Sequence, residues 1–459
     1  MTETTIAAIA TGLTPSGVGM VRISGPDAIP VAGAVFRPVS GIPLEGRKGY
    51  TAAFGHIHDG PETIDEGVAV VYRAPRSYTG EDVVELSCHG GVYLMERTLR
   101  AVLAHGSVLA EAGEFTKRAF LNGKLSLDQA EAVIELIEAG SAGAARAALA
   151  GREGALYREI LNVQQSLVAE AAHLAAWVDY PEEDVEELTP ASLEDGLEHS
   201  RQRLEKLYKG YDSGKLIRNG INTAIVGKPN VGKSTLMNLL SRYERSIVTD
   251  IPGTTRDVVE ESVQVGGYLL RLADTAGLRQ TEDKVESIGV EWSRKRMESS
   301  DLVLAVFDLS HPIEEEDLSL LRLMEGRAVI AVLNKNDAAT PEDCRAWEVE
   351  VGKVISNVVV MSARSGGGLE KLEEMIPRVL GLNRIDDSAA MLANERQRDC
   401  VKRSLDALEE AVQAVRLGIT YDAVSVCLED AVSPLMELTG ERVSDVVIEQ
   451  VFERFCVGK

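Results

Sequence analysis

The segment Gly227-Lys228-Pro229-Asn230-Val231-Gly232-Lys233-Ser234 decides how the central part of this chain folds. It follows an apolar strand candidate, Asn222 to Val226, and precedes a helical run, Thr235 to Leu240. Glycines in such a loop let backbone N–H groups turn inward around phosphate oxygens, and the helix that follows adds the positive end of its dipole. Lys233 supplies a point charge for the β- and γ-phosphates, and the Ser234 hydroxyl can ligate Mg²⁺. Downstream, Asp274-Thr275-Ala276-Gly277 ends a strand candidate. Asp274 is placed to hold the Mg²⁺ shell, and the Gly277 amide to sense the γ-phosphate. Asn334-Lys335-Asn336-Asp337 ends another strand, and the Asp337 carboxylate can accept hydrogen bonds from both N1 and N2 of guanine. Adenine lacks that donor pair, so the motif selects GTP over ATP. Ser362-Ala363-Arg364 has the form of the loop that closes over the base.

The expected nucleotide site therefore comprises Asn230, Val231, Gly232, Lys233, Ser234 and Thr235, then Thr249, Asp250, Ile251, Pro252, Gly253, Thr254 and Thr255 as the first switch segment. Asp274, Thr275, Ala276 and Gly277, then Asn334, Lys335 and Asp337, then Ser362, Ala363 and Arg364 complete it. Ser234 and Thr255 are the expected protein ligands of Mg²⁺. The residue after Asp274-Thr275-Ala276-Gly277 is Leu278, which cannot orient water, so a polar catalytic group must come from elsewhere. Glu282, Asp283 and Glu286 are the nearby candidates. Asn230 and loop carbonyls could cage a monovalent cation beside the phosphates; Arg256 acting as an arginine finger in cis is the rival reading.

The rest of the chain bounds the company this domain keeps. At 459 residues it exceeds one typical domain, and 45% hydrophobic residues suffice for real cores. The first residues carry no basic stretch of the secretory kind, and no apolar run approaches the roughly 20 residues of a membrane helix. Five widely spaced cysteines without a CxxC pair point to a reducing cytoplasm, with neither a disulfide framework nor a zinc site. The net charge of −24 argues against holding nucleic acid by bulk electrostatics, so any RNA substrate needs a local patch or a partner.

Residues 1–122 alternate short strand candidates, such as Gly19 to Ser24 and Asp82 to Ser87, with glycine-rich turns, the pattern of an α+β domain. Helical periodicity occupies 123–218, opening on a capping box at Ser126 and Gln129. An α/β pattern fills 219–380, with Gly266-Gly267 joining two strands as a hairpin, and helical periodicity returns over 381–459. The expected class is multidomain α/β plus α: an N-terminal α+β domain, a helical bundle split in sequence, and a P-loop GTPase domain inserted into it.

Further motifs lie outside the nucleotide segments: Gly17-Val18-Gly19-Met20-Val21-Arg22-Ile23-Ser24-Gly25, Ser77 to Leu86, His89-Gly90-Gly91, Gly113 to Leu125, and the terminal Phe455-Cys456-Val457-Gly458-Lys459. With them the whole chain resembles the MnmE (TrmE) family of tRNA-modification GTPases. That resemblance implies an N-terminal folate-binding and dimerisation domain and a homodimer whose Ras-like G-domains pair in a K⁺-dependent way. It implies K⁺ ligation by Asn230, Thr249, Ile251 and Thr254, and it assigns catalysis to Glu286. Arg22, Glu85 and Lys124 match the residues lining a site for 5-formyl- or 5,10-methylene-tetrahydrofolate, which Lys459 approaches. The implied partners are tRNA and the flavoprotein MnmG (GidA), in a heterotetramer that adds an aminomethyl or carboxymethylaminomethyl group to C5 of the wobble uridine. A ribosome-assembly GTPase switch is the alternative that the nucleotide motifs alone would allow.

Overall fold

The computed structural model describes residues 4–179, 189–243, 261–272, 297, 300–384, 386 and 388–458. They group into two compact units: Met1–Ile134, Leu167–Val185 and Ile419–Lys459, and Glu135–Ser166 and Glu186–Gly418.

The first unit is built on a seven-stranded sheet. Its strands are β1 (Ile6–Ile9), β2 (Ser16–Ser24), β3 (Phe36–Pro38), β4 (Thr51–Asp59), β5 (Glu62–Tyr72), β6 (Val83–Gly90) and β7 (Val108–Leu109), in the order β3-β4-β5-β6-β2-β1-β7. All neighbours are antiparallel except β1 and β7. Side chains alternate across a strand, so one face of the sheet must be covered. Val21, Ile23, Ala69, Val71, Val84 and Leu86 face a core that α1 (Ala28–Val35) and α2 (Val92–Leu103) close with Ile29, Ala32, Met95 and Val102. Arg22 and Glu85, directly opposite in the β2–β6 register, are offset by one from those core positions and fall on the other face. After α3 (Glu114–Leu121) the chain turns into α4 (Leu127–Glu138), where the Ser126 N–H donates to Gln129 Oε1 at 3.0 Å, one half of the expected capping box.

The second unit holds α5 (Ala142–Arg152) and the long α7 (Pro190–Asn219); α6 (Ala155–Asp179) runs through both units. α7 starts on a capped turn, with the Thr189 hydroxyl accepting from the Ser192 N–H and proline at the first helical position. A six-stranded sheet follows: β8 (Ile221–Val226), β9 (Glu261–Val265), β10 (Tyr268–Leu272), β11 (Leu302–Asp308), β12 (Val329–Asn334) and β13 (Val358–Val360), ordered β13-β12-β11-β8-β10-β9. All pairs are parallel except the β9–β10 hairpin, which turns at Gly266-Gly267 as expected. Parallel strands buried on both faces read as continuous apolar runs, and Leu302 to Phe307 and Val329 to Leu333 are buried throughout. α8 (Lys233–Tyr243) and α11 (Leu369–Val379) cover one face with Leu236, Leu240, Leu372 and Ile376. On the other, α9 (Glu315–Arg322) and α10 (Pro341–Gly352) contribute Leu321, Trp347 and Val351.

Helices that lie before and after this sheet in sequence pack together. α12 (Glu395–Arg416) runs against α7, with Arg416 Nε 2.7 Å from Glu194 at one end and the Arg218 guanidinium donating to Ala393 O at 3.0 Å at the other. The hairpin is also fastened to the helical part: Gln264 Nε2 donates to Gly140 O at 2.8 Å, and the Gly143 N–H to Gly267 O. In the first unit, α13 (Tyr421–Thr439) and α14 (Asp445–Phe452) lead to a tail in which Phe452 and Phe455 pack on Phe120, Leu127 and Ala130. Ala112 and Val457 form an antiparallel bridge. None of the five cysteines is joined in a disulfide.

Candidate functional site

In the second unit β8 is the strand from which neighbours extend to both sides, β10 on one and β11 on the other. Such a switch point opens a crevice at the carboxyl ends of the strands, and the loop 227–232 lies there, between β8 and α8. α8 begins at Lys233, two residues before the sequence boundary, so Ser234 and Thr235 belong to its first turn and are exposed. Gly232 has φ of +101°, and a Cβ there would stand 2.2 Å from Asn334 Nδ2; only glycine fits this approach. Asn230 is also left-handed, at φ +63°, a conformation asparagine tolerates.

Lys233 Nζ donates to two carbonyls of the loop, Gly227 O at 2.8 Å and Lys228 O at 2.5 Å. Burial pushes its pKa down, and no carboxylate among the described residues pairs with it. With only neutral carbonyls against it among the described residues, the ammonium would gain most from an anion that supplies the missing counter-charge. Lys228 points away from that centre. Its ammonium lies 2.6 Å from Glu314 and 2.7 Å from Asp317 at the start of α9.

Asn334 joins the loop to the base-closing segment. Its Nδ2 donates to Val231 O at 2.8 Å and its Oδ1 accepts from the Ala363 N–H at 2.9 Å. Lys335, left-handed at φ +64°, reaches Asp308 Oδ2 at 2.6 Å. Burial alone would raise the Asp308 pKa, but the hydrogen bonds from Lys335 and Ser310 outweigh it and hold the carboxyl below its ordinary range. Asp337 and Arg364 are exposed, and the Ser362 hydroxyl beside Asp337 lowers that carboxyl's pKa. The structure thus brings together Asn230 to Thr235, Asn334 to Asp337 and Ser362 to Arg364. Thr249 to Thr255, Asp274 to Gly277, Glu286 and Lys459 lie outside the described residues.

On the sheet of the first unit, Arg22 Nε donates to Glu85 Oε1 at 2.9 Å, and the Tyr72 hydroxyl to Glu85 Oε2 at 3.1 Å. An Arg22 terminal nitrogen also donates to Gly458 O at 3.1 Å, and the guanidinium lies over the Phe115 ring at 5.6 Å. Arg22 and Glu85 are half-buried. Lys124, by contrast, sets its ammonium on Pro75 O at 3.1 Å.

Two family models match this chain: the GTP-binding protein TrmE N-terminus over residues 5–124, and the MnmE helical domain over 127–456. The tRNA modification GTPase MnmE of Geobacillus thermodenitrificans is 42% identical over the full length of both chains. The chain belongs to the MnmE family. It is a GTP-hydrolysing enzyme. The MnmE of Symbiobacterium thermophilum is likewise 42% identical over both full lengths. Among solved structures, the G domain of the T. maritima FeoB iron transporter is 29% identical, covering 35% of this chain and 98% of its own, with a TM-score of 0.25.

Within this MnmE-family chain, sequence reading missed Asp308, Lys228 with its two carboxylates, and Tyr72. Asp308 has a signal in hindsight, as the single acid that ends an otherwise apolar strand. Tyr72 has none, since a tyrosine closing a strand is commonplace.

Proposed function

We propose that this GTPase acts in tRNA modification, adding an aminomethyl or carboxymethylaminomethyl group to C5 of the wobble uridine together with the flavoprotein MnmG. The observation that carries this reading is the family match over residues 5–124 and 127–456, which extends far beyond the nucleotide motifs on both sides. In this reading, residues 1–122 form a folate-binding and dimerisation domain, 123–218 and 381–459 the two parts of a helical domain, and 219–380 a Ras-like G-domain. The chain works in the cytoplasm as a homodimer, within a heterotetramer with MnmG.

The loop residues fit a nucleoside triphosphate. Gly232 leaves space no Cβ could share, and Lys233, which no carboxylate among the described residues pairs with, stands beside it. Ser234 and Thr255 would hold Mg²⁺, which neutralises charge developing on the phosphates. Asn230, Thr249, Ile251 and Thr254 would hold K⁺, and Glu286 would orient the attacking water. Glu85 fits one donor of a pterin edge: its Oε2 keeps a second lone pair beyond the one taken by Tyr72, while Oε1 lies 2.9 Å from both Nε and a terminal nitrogen of Arg22. A reduced folate bound there would supply the one-carbon unit, with Arg22 and Lys124 as its cationic neighbours and Lys459 approaching it.

Nucleoside mass spectrometry of tRNA from a strain lacking this protein tests the reading. Loss of the C5-modified wobble uridine is expected, and an unchanged nucleoside profile would overturn it. Faster GTP hydrolysis in K⁺ than in Na⁺ at equal ionic strength checks the cation, and equal rates would remove it.

A further inference from the structure

The geometry points to Lys228 as a positioning residue for GTP, with Glu314 and Asp317 as the clamp that holds it. The role follows from what each end of Lys228 touches. Its carbonyl oxygen is one of the two acceptors that fix the Lys233 ammonium, at 2.5 Å. Its side chain leaves the loop on the opposite side and ends between two carboxylates 86 and 89 residues further along the chain. A short loop whose φ angles include three positive values at Gly227, Asn230 and Gly232 has no regular hydrogen-bond ladder to hold its first residues. The clamp supplies an anchor outside the loop to a residue whose carbonyl meets Lys233 within it.

The anchor itself is rigid. Asp317 is 3% exposed and sits at the third position of α9, where its Oδ2 also accepts the Glu314 N–H at 3.1 Å. Glu314 is the N-cap residue, and the two form a capping box. The same carboxylate therefore closes the helix start and grips the loop. α9 packs on the sheet through Leu321, so the clamp ties the phosphate loop to the core behind β11. Lys228 has no free charge to offer a phosphate, since two carboxylates surround it. Its effect on the nucleotide must pass through the backbone.

The test uses the full-length chain and four variants: K228M, K228R, D317N and the double K228M/D317N. GTP affinity is read by competition with a fluorescent GDP analogue, alongside KM and kcat for hydrolysis and the thermal unfolding midpoint. K228M is expected to weaken GTP affinity and raise KM roughly tenfold, the size of one lost charge-assisted hydrogen bond, with kcat at saturation changed by less than about twofold. K228R is expected to restore most of the affinity. D317N keeps an oxygen for the helix cap but loses the charge, so it separates the grip from folding of α9; it should weaken GTP as K228M does. The double variant should be no weaker than K228M alone, because the two residues act through one contact. Wild-type affinity in K228M, losses that multiply in the double variant, or a lower unfolding midpoint with unchanged affinity would each overturn the proposal.

Discussion

Asp337 is the residue whose chemistry is simplest to invert. In the proposed site its exposed carboxylate would accept from two donors on the guanine edge, and an amide there would present a donor where the base also donates. Asp337→Asn is expected to weaken GTP binding roughly 10- to 100-fold, the range for a lost pair of hydrogen bonds to a charged group, while improving xanthosine triphosphate, whose C2 carbonyl accepts from the new amide. Competition binding with the two nucleotides checks it. A second residue-scale test lies at the His89-Gly90-Gly91 motif. His89 Nδ1 is 2.8 Å from Asp65 Oδ1, and its backbone N–H donates to Asp65 Oδ2. The hydrogen bond with Asp65, then that carboxylate's charge, raises the His89 pKa above its ordinary 6.5. The group is raised on folding, so its stabilising contribution is complete below 6.5 and is lost as pH climbs through the raised value. An NMR titration should place His89 above 6.5, and Asp65→Asn should bring it down. The places of Lys233 and Asp337, each just beyond a strand end, were legible in the sequence because they follow from local spacing. The Lys228 clamp was not, because its carboxylates stand so far along the chain that only the folded sheet brings them near.

Among elements, helix ends and strand faces carried most of the information. The apolar runs Leu302 to Asp308 and Ala328 to Leu333 could be read directly, the second one residue out of step with the strand Val329–Asn334, since a parallel strand buried on both faces has no polar side to interrupt it. Strand order could not, because it depends on crossovers rather than on any single run. The Arg22–Glu85 pairing was half legible: each residue matched the family, but their cross-strand register belongs to the β2–β6 ladder. The end of α13 offers a test of this scale. Gly440 is left-handed at φ +89°, and a Cβ would meet Phe120 Cε2 at 2.6 Å and Leu127 Cβ at 2.9 Å. Gly440→Ala should cost about 1–3 kcal/mol through backbone strain and overpacking, measured as a lower midpoint in urea unfolding with an unchanged slope. Since Gly440 is far in sequence from the nucleotide loop, GTP affinity should stay at the wild-type level.

At the scale of the whole molecule, charge sets the terms. A chain of net charge −24 repels a polyanion unless a local cationic surface or a partner intervenes. The purified protein alone should therefore give little tRNA binding at about 0.15 M salt, where screening still leaves repulsion felt over roughly 8 Å, and adding MnmG should bring tRNA onto the complex. Gel-shift titrations with and without the flavoprotein check this; tight tRNA binding by the chain alone would refute it. No helix among the described residues is long and apolar enough to cross a membrane.

The β9–β10 hairpin has a mechanical consequence. It is stitched to the segment 140–143 by Gln264 and by the Gly143 amide, and its inner strand β10 lies beside β8, the strand that delivers the phosphate loop. A tug on β10 during the hydrolytic cycle would thus be felt as strain at the foot of α5, and Gly143 amide exchange would serve as a gauge of that pull. Cutting the stitch with Gln264→Ala should leave the gauge slack: the amide would exchange at one rate whichever nucleotide is bound.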